Sequence, residues 1–197
     1  MKKVRAVDLN DNRKLPIIII VLAVLMLIFS VLRIEITPEG FSAGFNSLAS
    51  VISIIPLTIG TSAFMIIKTK KPAFGEFPCY IVSVFIVLAF ALLFFLKHFL
   101  SLDYLDGLEV LIFAIAILLI YPYIVAGLTI RGCVYTKAFA LGFAGLLVIL
   151  SVIGVVVVSV LIGFSATYLV LPLMYTSLLI NLLCFDLKPL KKNQDNC

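Results

Sequence analysis

The chain contains one histidine and four cysteines, so its stock of groups able to do nucleophilic, acid–base or metal chemistry is short. His98 adjoins Lys97. It could act as a proton donor or ligand, or simply rest at a water–lipid boundary beside a lysine whose ammonium reaches water. The cysteines Cys79, Cys133, Cys184 and Cys197 are separated by 54, 51 and 13 residues with no C-x-x-C pair. That spacing does not describe a tetrathiolate zinc site, and free thiols are expected. Asp103, Asp106 and Glu109 would attract cations, or would form a solvated helix start. No nucleophile–base arrangement is visible. The expectation is a non-enzymatic chain without metal or cofactor.

Polar and helix-perturbing residues concentrate in three apolar stretches. One holds Ser53, Pro56 and Thr61, a second Tyr121-Pro122-Tyr123, and the third Pro172, Tyr175 and Asn181. A proline in a helix interior frees a carbonyl and bends the axis. Hydroxyls and an amide beside it could line a ligand pocket or a pathway. The competing reading makes the same groups packing and kink devices between helices. Asn46, Ser50, Ser53, Leu57 and Gly60 recur at three- and four-residue spacing, which predicts one inward face. Asn181, Ser177 and Cys184 share a face in the same way. Ala138-x-x-x-Gly142 and Ala140-x-x-x-Ala144 suit close helix approach, within the chain or across a dimer.

Composition says what must carry these residues. Of 197 residues, 63% are hydrophobic and 13% charged, and the mean hydropathy is +1.27. A soluble domain has roughly 45–50% apolar and about 25% charged residues, and it could not hide this surplus in one core. The composition excludes a soluble globular domain, a disordered chain, a nucleic-acid binder and a disulfide-rich secreted module. The expected fold class is all-α, a polytopic membrane protein of six short-looped transmembrane helices in a single domain.

Charged residues delimit the spans. Uncharged runs cover Leu15–Leu32, Gly40–Ile67, Phe77–Leu96, Val110–Ile130 and Ala138–Phe185. The last is 48 residues long, about 72 Å as one helix, against about 30 Å of hydrocarbon. It must fold back, and Gly163-Phe164-Ser165-Ala166 is the turn expected. The spans are therefore placed at about 15–32, 47–67, 77–96, 109–130, 138–162 and 167–185. Pro56, Pro122 and Pro172 fall inside the second, fourth and sixth. The first, third and fifth carry none internally, with Pro16 and Pro78 at their starts. The first run ends without a small-x-small cleavage site and reads as a retained helix.

Orientation follows from lysine and arginine. With the N-terminus in the cytoplasm, 13 cations fall on the inner side, and only Arg33 and Lys97 on the outer. Five acids lie on each side. Both termini are expected to be cytoplasmic in a plasma-membrane protein. The expected partners are membrane lipid and a cytoplasmic or membrane subunit docking on the basic inner face. Ile36 to Asn46, with Phe41 and Phe45, would lie along the outer interface or cap a site from outside.

In outline this arrangement is similar to the substrate-binding subunits of energy-coupling-factor vitamin transporters and to small permease subunits of ABC exporters. The similarity covers helix number, length and topology. It implies a substrate-binding or permease component driven by another subunit and lined by the proline-bearing helices. The first span lacks the small-residue stripe expected for docking a coupling subunit. The other function expected is a structural or accessory membrane partner, such as an assembly, immunity or regulatory subunit.

Overall fold

Helix formation follows the uncharged runs, because a segment without water to bond its backbone must satisfy every N–H and C=O internally. A computed structural model describes residues 8–9, 14–46, 52–100, 109–132 and 136–186. It is 82% helical. The elements are β1 (Asp8–Leu9), α1 (Lys14–Val31), β2 (Leu32–Thr37), β3 (Gly40–Phe45), α2 (Ile54–Thr69), α3 (Ala73–Leu100), α4 (Glu109–Arg131), α5 (Lys137–Ile162) and β4 (Phe164–Ser165). A 3-10 turn (Ala166–Leu169) then leads into α6 (Val170–Leu183) and β5 (Phe185–Asp186). Four stretches are long and apolar enough to cross a membrane: Lys14–Val31, Ala73–Leu92, Lys137–Ile162 and Ala166–Leu183. Ile54–Thr69 and Ile115–Arg131 are apolar but shorter.

Two small sheets mark opposite ends of the bundle. At one end β1 pairs antiparallel with β5, setting Asp8 opposite Asp186. At the other, β2 and β3 form a hairpin, and β2 also pairs with β4, in the order β3-β2-β4. The segment expected to be a loop along an interface is therefore a register-locked hairpin. Its alternation of apolar and polar residues over 32–37 is the signature of a half-exposed strand. Arg33 makes a two-pronged ion pair with Glu35, at 2.9 and 3.0 Å, and the Ser42 hydroxyl also donates to that carboxylate. These hydrogen bonds, Arg33's above all, hold the Glu35 carboxyl below the usual carboxylate range against the opposing effect of desolvation.

Uncharged run 138–185 divides where the backbone demands it. Gly163 caps α5 at φ +100°, and a Cβ there would stand 2.8 Å from the Ile36 carbonyl oxygen. At the other end Lys70 takes the left-handed conformation, φ 55°, and its N–H caps α2 by bonding Ile66 O.

Small residues are interspersed among larger apolar ones in the interior. On α1 the buried positions Pro16, Ile19, Ala23, Met26 and Ser30 recur at alternating three- and four-residue steps, a knobs-into-holes seam. They meet Pro56, Ile59, Ser62, Ala63 and Ile66 of α2, and a Cβ on Gly60 would come 3.2 Å from that of Ala23. Ala126, Ala140 and Ala144 are also buried, whereas Ile, Leu, Val and Phe dominate the exposed surface. Without a hydrophobic drive between helices in lipid, close backbone approach through small residues holds such bundles together.

Proline placement departs from expectation. Pro56 and Pro172 are each the third residue of their helices. Within α2 Pro56 falls in the first turn, whereas the 3-10 turn runs directly into α6, so Pro172 lies inside the continuous helical stretch Ala166–Leu183 and withholds an N–H from it. Of the expected span 47–67, residues 47–51 lie outside those described, and α2 covers Ile54–Thr69. In contrast, α3 starts at Ala73, ahead of the expected 77, which leaves Pro78 inside it. Pro122 is interior to α4 as expected. Pro78 therefore stands inside an odd-numbered helix, where no interior proline was expected.

Candidate functional site

Five helices, α1, α2, α3, α4 and α6, converge on one small interior space. Ser62, Cys79, Tyr123, Ser177 and Asn181 contribute its polar lining, and Ile19, Ile59, Ala63, Ile66, Pro78 and Leu178 the rest. The space is about 10 Å³, room for at most one water.

Each polar group there has a local reason for its position. Pro78 has no N–H to give the carbonyl of Phe74, which loosens the first turns of α3. The adjacent carbonyl of Gly75 accepts a hydrogen bond from Asn181 Nδ2 at 2.9 Å and one from Cys79 Sγ at 3.4 Å. Gly75 itself is a packing requirement, because a Cβ would stand 2.2 Å from the fully buried ring of Phe185. Tyr123 of α4 donates through its hydroxyl to Met174 O on α6 at 3.2 Å, and Ser177 donates to the same carbonyl at 2.7 Å. A Cβ on Gly127 would stand 3.0 Å from the Tyr80 ring and 3.3 Å from Cys79 Cβ, so α3 and α4 approach closely here. Lys137 donates from its ammonium to the Phe185 carbonyl and so fastens the start of α5 beneath the site.

Among the described residues, two polar atoms at the site, Ser62 Oγ and Asn181 Oδ1, have no hydrogen-bond partner. Other hydroxyls of the bundle turn back onto their own helices. Ser30 bonds Met26 O, Ser83 bonds Cys79 O, Thr129 bonds Val125 O and Thr176 bonds Pro172 O, the usual way a helix absorbs a hydroxyl.

Of the residues expected to line a site, Tyr123 and Asn181 border this small space. Pro56, Pro122, Pro172 and Tyr175 are buried but do not reach the space. Thr61 is exposed and satisfied by Leu57 O and Thr58 O. Tyr121 is 40% exposed and packs edge-on to Phe143, with centroids 5.5 Å apart. Ser53 precedes α2 and is away from the lining. The expected inward face through Leu57 is corrected as well, since Leu57 is 53% exposed and the face through Ile59, Ser62 and Ile66 points inward. Asn181, Ser177 and Cys184 do share a buried face. Ala140 and Ala144 are buried, but Ala138 is exposed and a Cβ on Gly142, Gly145 or Gly154 would meet nothing.

Ser62, Gly75 and Cys79 are the contributors that sequence reasoning passed over. Ser62 falls in register with Ile59 and Ile66, but nothing in an all-apolar helix distinguishes that stripe from its neighbour. Among the described residues, no three of His, Cys, Asp and Glu are grouped to hold a metal ion. Cys133, Cys197, Asp103 and Asp106, and the side chains of His98 and Glu109, lie outside the described residues. No family model, curated protein or solved structure matches the chain.

Proposed function

We propose that the chain is a six-span integral membrane protein of the cell membrane with both termini cytoplasmic, and that it acts as a non-enzymatic accessory subunit and not as a conduit. The observation that carries this reading is the tight centre of the bundle, where five helices leave about 10 Å³. That is far below the several hundred Å³ of a small-molecule pocket. Orientation rests on the cations: Lys14, Lys68, Lys70, Lys71, Arg131 and Lys137 belong to the end that carries β1 and β5, and Arg33 to the other. Lys68, Lys70, Lys71 and Arg131 are exposed and offer an acidic partner a basic surface. Reconstituted alone in liposomes, the protein is expected to leave a panel of entrapped metabolites and ions in place. Solute movement by the chain alone would overturn the accessory role.

A second reading, a transport-related substrate-binding or permease component, is favoured by one observation. Ser62 Oγ and Asn181 Oδ1 are buried acceptors without partners beside the same space, and such groups are costly unless something bonds them. On this reading a metabolite raises the unfolding temperature of the purified protein, and Asn181→Ala removes the shift while leaving the protein folded. A panel without any stabilising compound would count against it.

A further inference from the structure

The hairpin β2–β3 separates its side chains by chemistry more cleanly than any helix in the bundle. Register pairs Leu32 with Phe45, Ile34 with Ala43 and Ile36 with Phe41, and these six residues share one face. Arg33, Glu35 and Thr37, paired with Gly44, Ser42 and Gly40, form the other. The polar face is closed on itself by the Arg33–Glu35 ion pair and the Ser42 hydroxyl. The apolar face is open: Ile36 is 53%, Phe41 70% and Phe45 80% exposed. An isolated hairpin facing water on both sides would have no use for such a face.

We propose that this hairpin is an interfacial anchor, lying with its apolar face in the outer-leaflet lipid at the level of the head groups; the inference rests on the membrane-spanning reading above. Continuity with the exposed surface of α5 selects lipid as the occupant. The last turn of α5 ends in Val160, Leu161 and Ile162, all strongly exposed. Gly163 then packs directly against the backbone of Ile36 and Thr37, so the apolar surface of the helix runs into that of the hairpin. Depth is limited by the backbone. In the order β3-β2-β4 the outer edge of β3 has no strand partner among the described residues, and its N–H and C=O groups need head groups or water, which the hydrocarbon does not contain. Charge does not drive the contact, since the segment carries one arginine against Glu35 and Glu39. Association therefore depends on burial of apolar side chains and not on anionic lipid.

The chain has no tryptophan, so single introduced indoles report their own surroundings. Phe41→Trp, Phe45→Trp, Gly44→Trp on the polar face and Ile149→Trp at the middle of α5 would each be reconstituted in vesicles of neutral lipid brominated either near the head group or near the chain end. The Phe41→Trp and Phe45→Trp emissions are expected to shift to the blue and lose most of their intensity with shallow bromine, and little with deep bromine. The Gly44→Trp emission is expected to stay water-like, and the Ile149→Trp emission to be lost to deep bromine. If Ile149→Trp is quenched but both phenylalanine positions report water, the anchor is wrong while the span stands. If those positions are blue-shifted yet unquenched, protein covers the face, a second copy included, and the anchor is again wrong. If Ile149→Trp itself escapes both lipids, the membrane-spanning reading fails.

Discussion

Asn181 and Tyr123 differ from the other polar side chains of the interior in bonding across helices, to Gly75 O and Met174 O. Their removal leaves a gap between elements, not within one. Asn181→Ala is expected to destabilise the protein by about 1–3 kcal/mol, the cost of a lost buried hydrogen bond together with its desolvated partner. Thr61→Val and Tyr121→Phe, changed where side chains are exposed, should stay within about 0.5 kcal/mol. Denaturant unfolding of all three in one detergent checks the contrast, and equal losses would show that interior and exterior have been confused. Asn181 could be read from sequence because it shares a face with Ser177 and Cys184 at helical spacing. Thr61 and Tyr121 could not. Around a lipid-facing helix apolar residues occur on every side, so the contrast that locates the inner stripe of a soluble helix is missing.

Helix boundaries, more than helix existence, decide what the prolines do. Charge-free runs locate the six described helices, yet a shift of a few residues turns Pro78 from a first-turn residue into an interior one. Charge marks where a segment can leave lipid, whereas a helix begins where backbone and packing allow. At the start of α3 the determinant is Gly75, whose missing Cβ admits the ring of Phe185 from β5, and a single chain gives no hint of a contact between residues so far apart. Gly75→Ala is expected to cost about 1–3 kcal/mol through overpacking, and adding Phe185→Leu should recover part of that loss. Thermal unfolding of the single and double variants tests the pairing; additive losses would refute it. The hairpin leaves its trace in the alternation over 32–37, although Pro38, Gly40 and Gly44 weaken the signal of its second half and favour a loop instead.

Taken whole, the protein exposes a large share of its Ile, Leu, Val and Phe side chains around a core that mixes alanine and serine with Ile, Leu, Met, Tyr and Phe. It also carries most of its described cations at the β1–β5 end. These two distributions were readable from composition and charge, because lipid and membrane orientation act on the whole chain. The tightness of the centre was not, since it depends on how side chains from five helices interlock. The orientation can be tested by substituting one exposed residue at each end, Glu39→Cys in the hairpin turn and Lys70→Cys between α2 and α3, and treating intact cells with a membrane-impermeant maleimide beside the unsubstituted chain. Glu39→Cys should label at once and Lys70→Cys only after permeabilisation. Labelling of both from the same side would contradict the six-span arrangement.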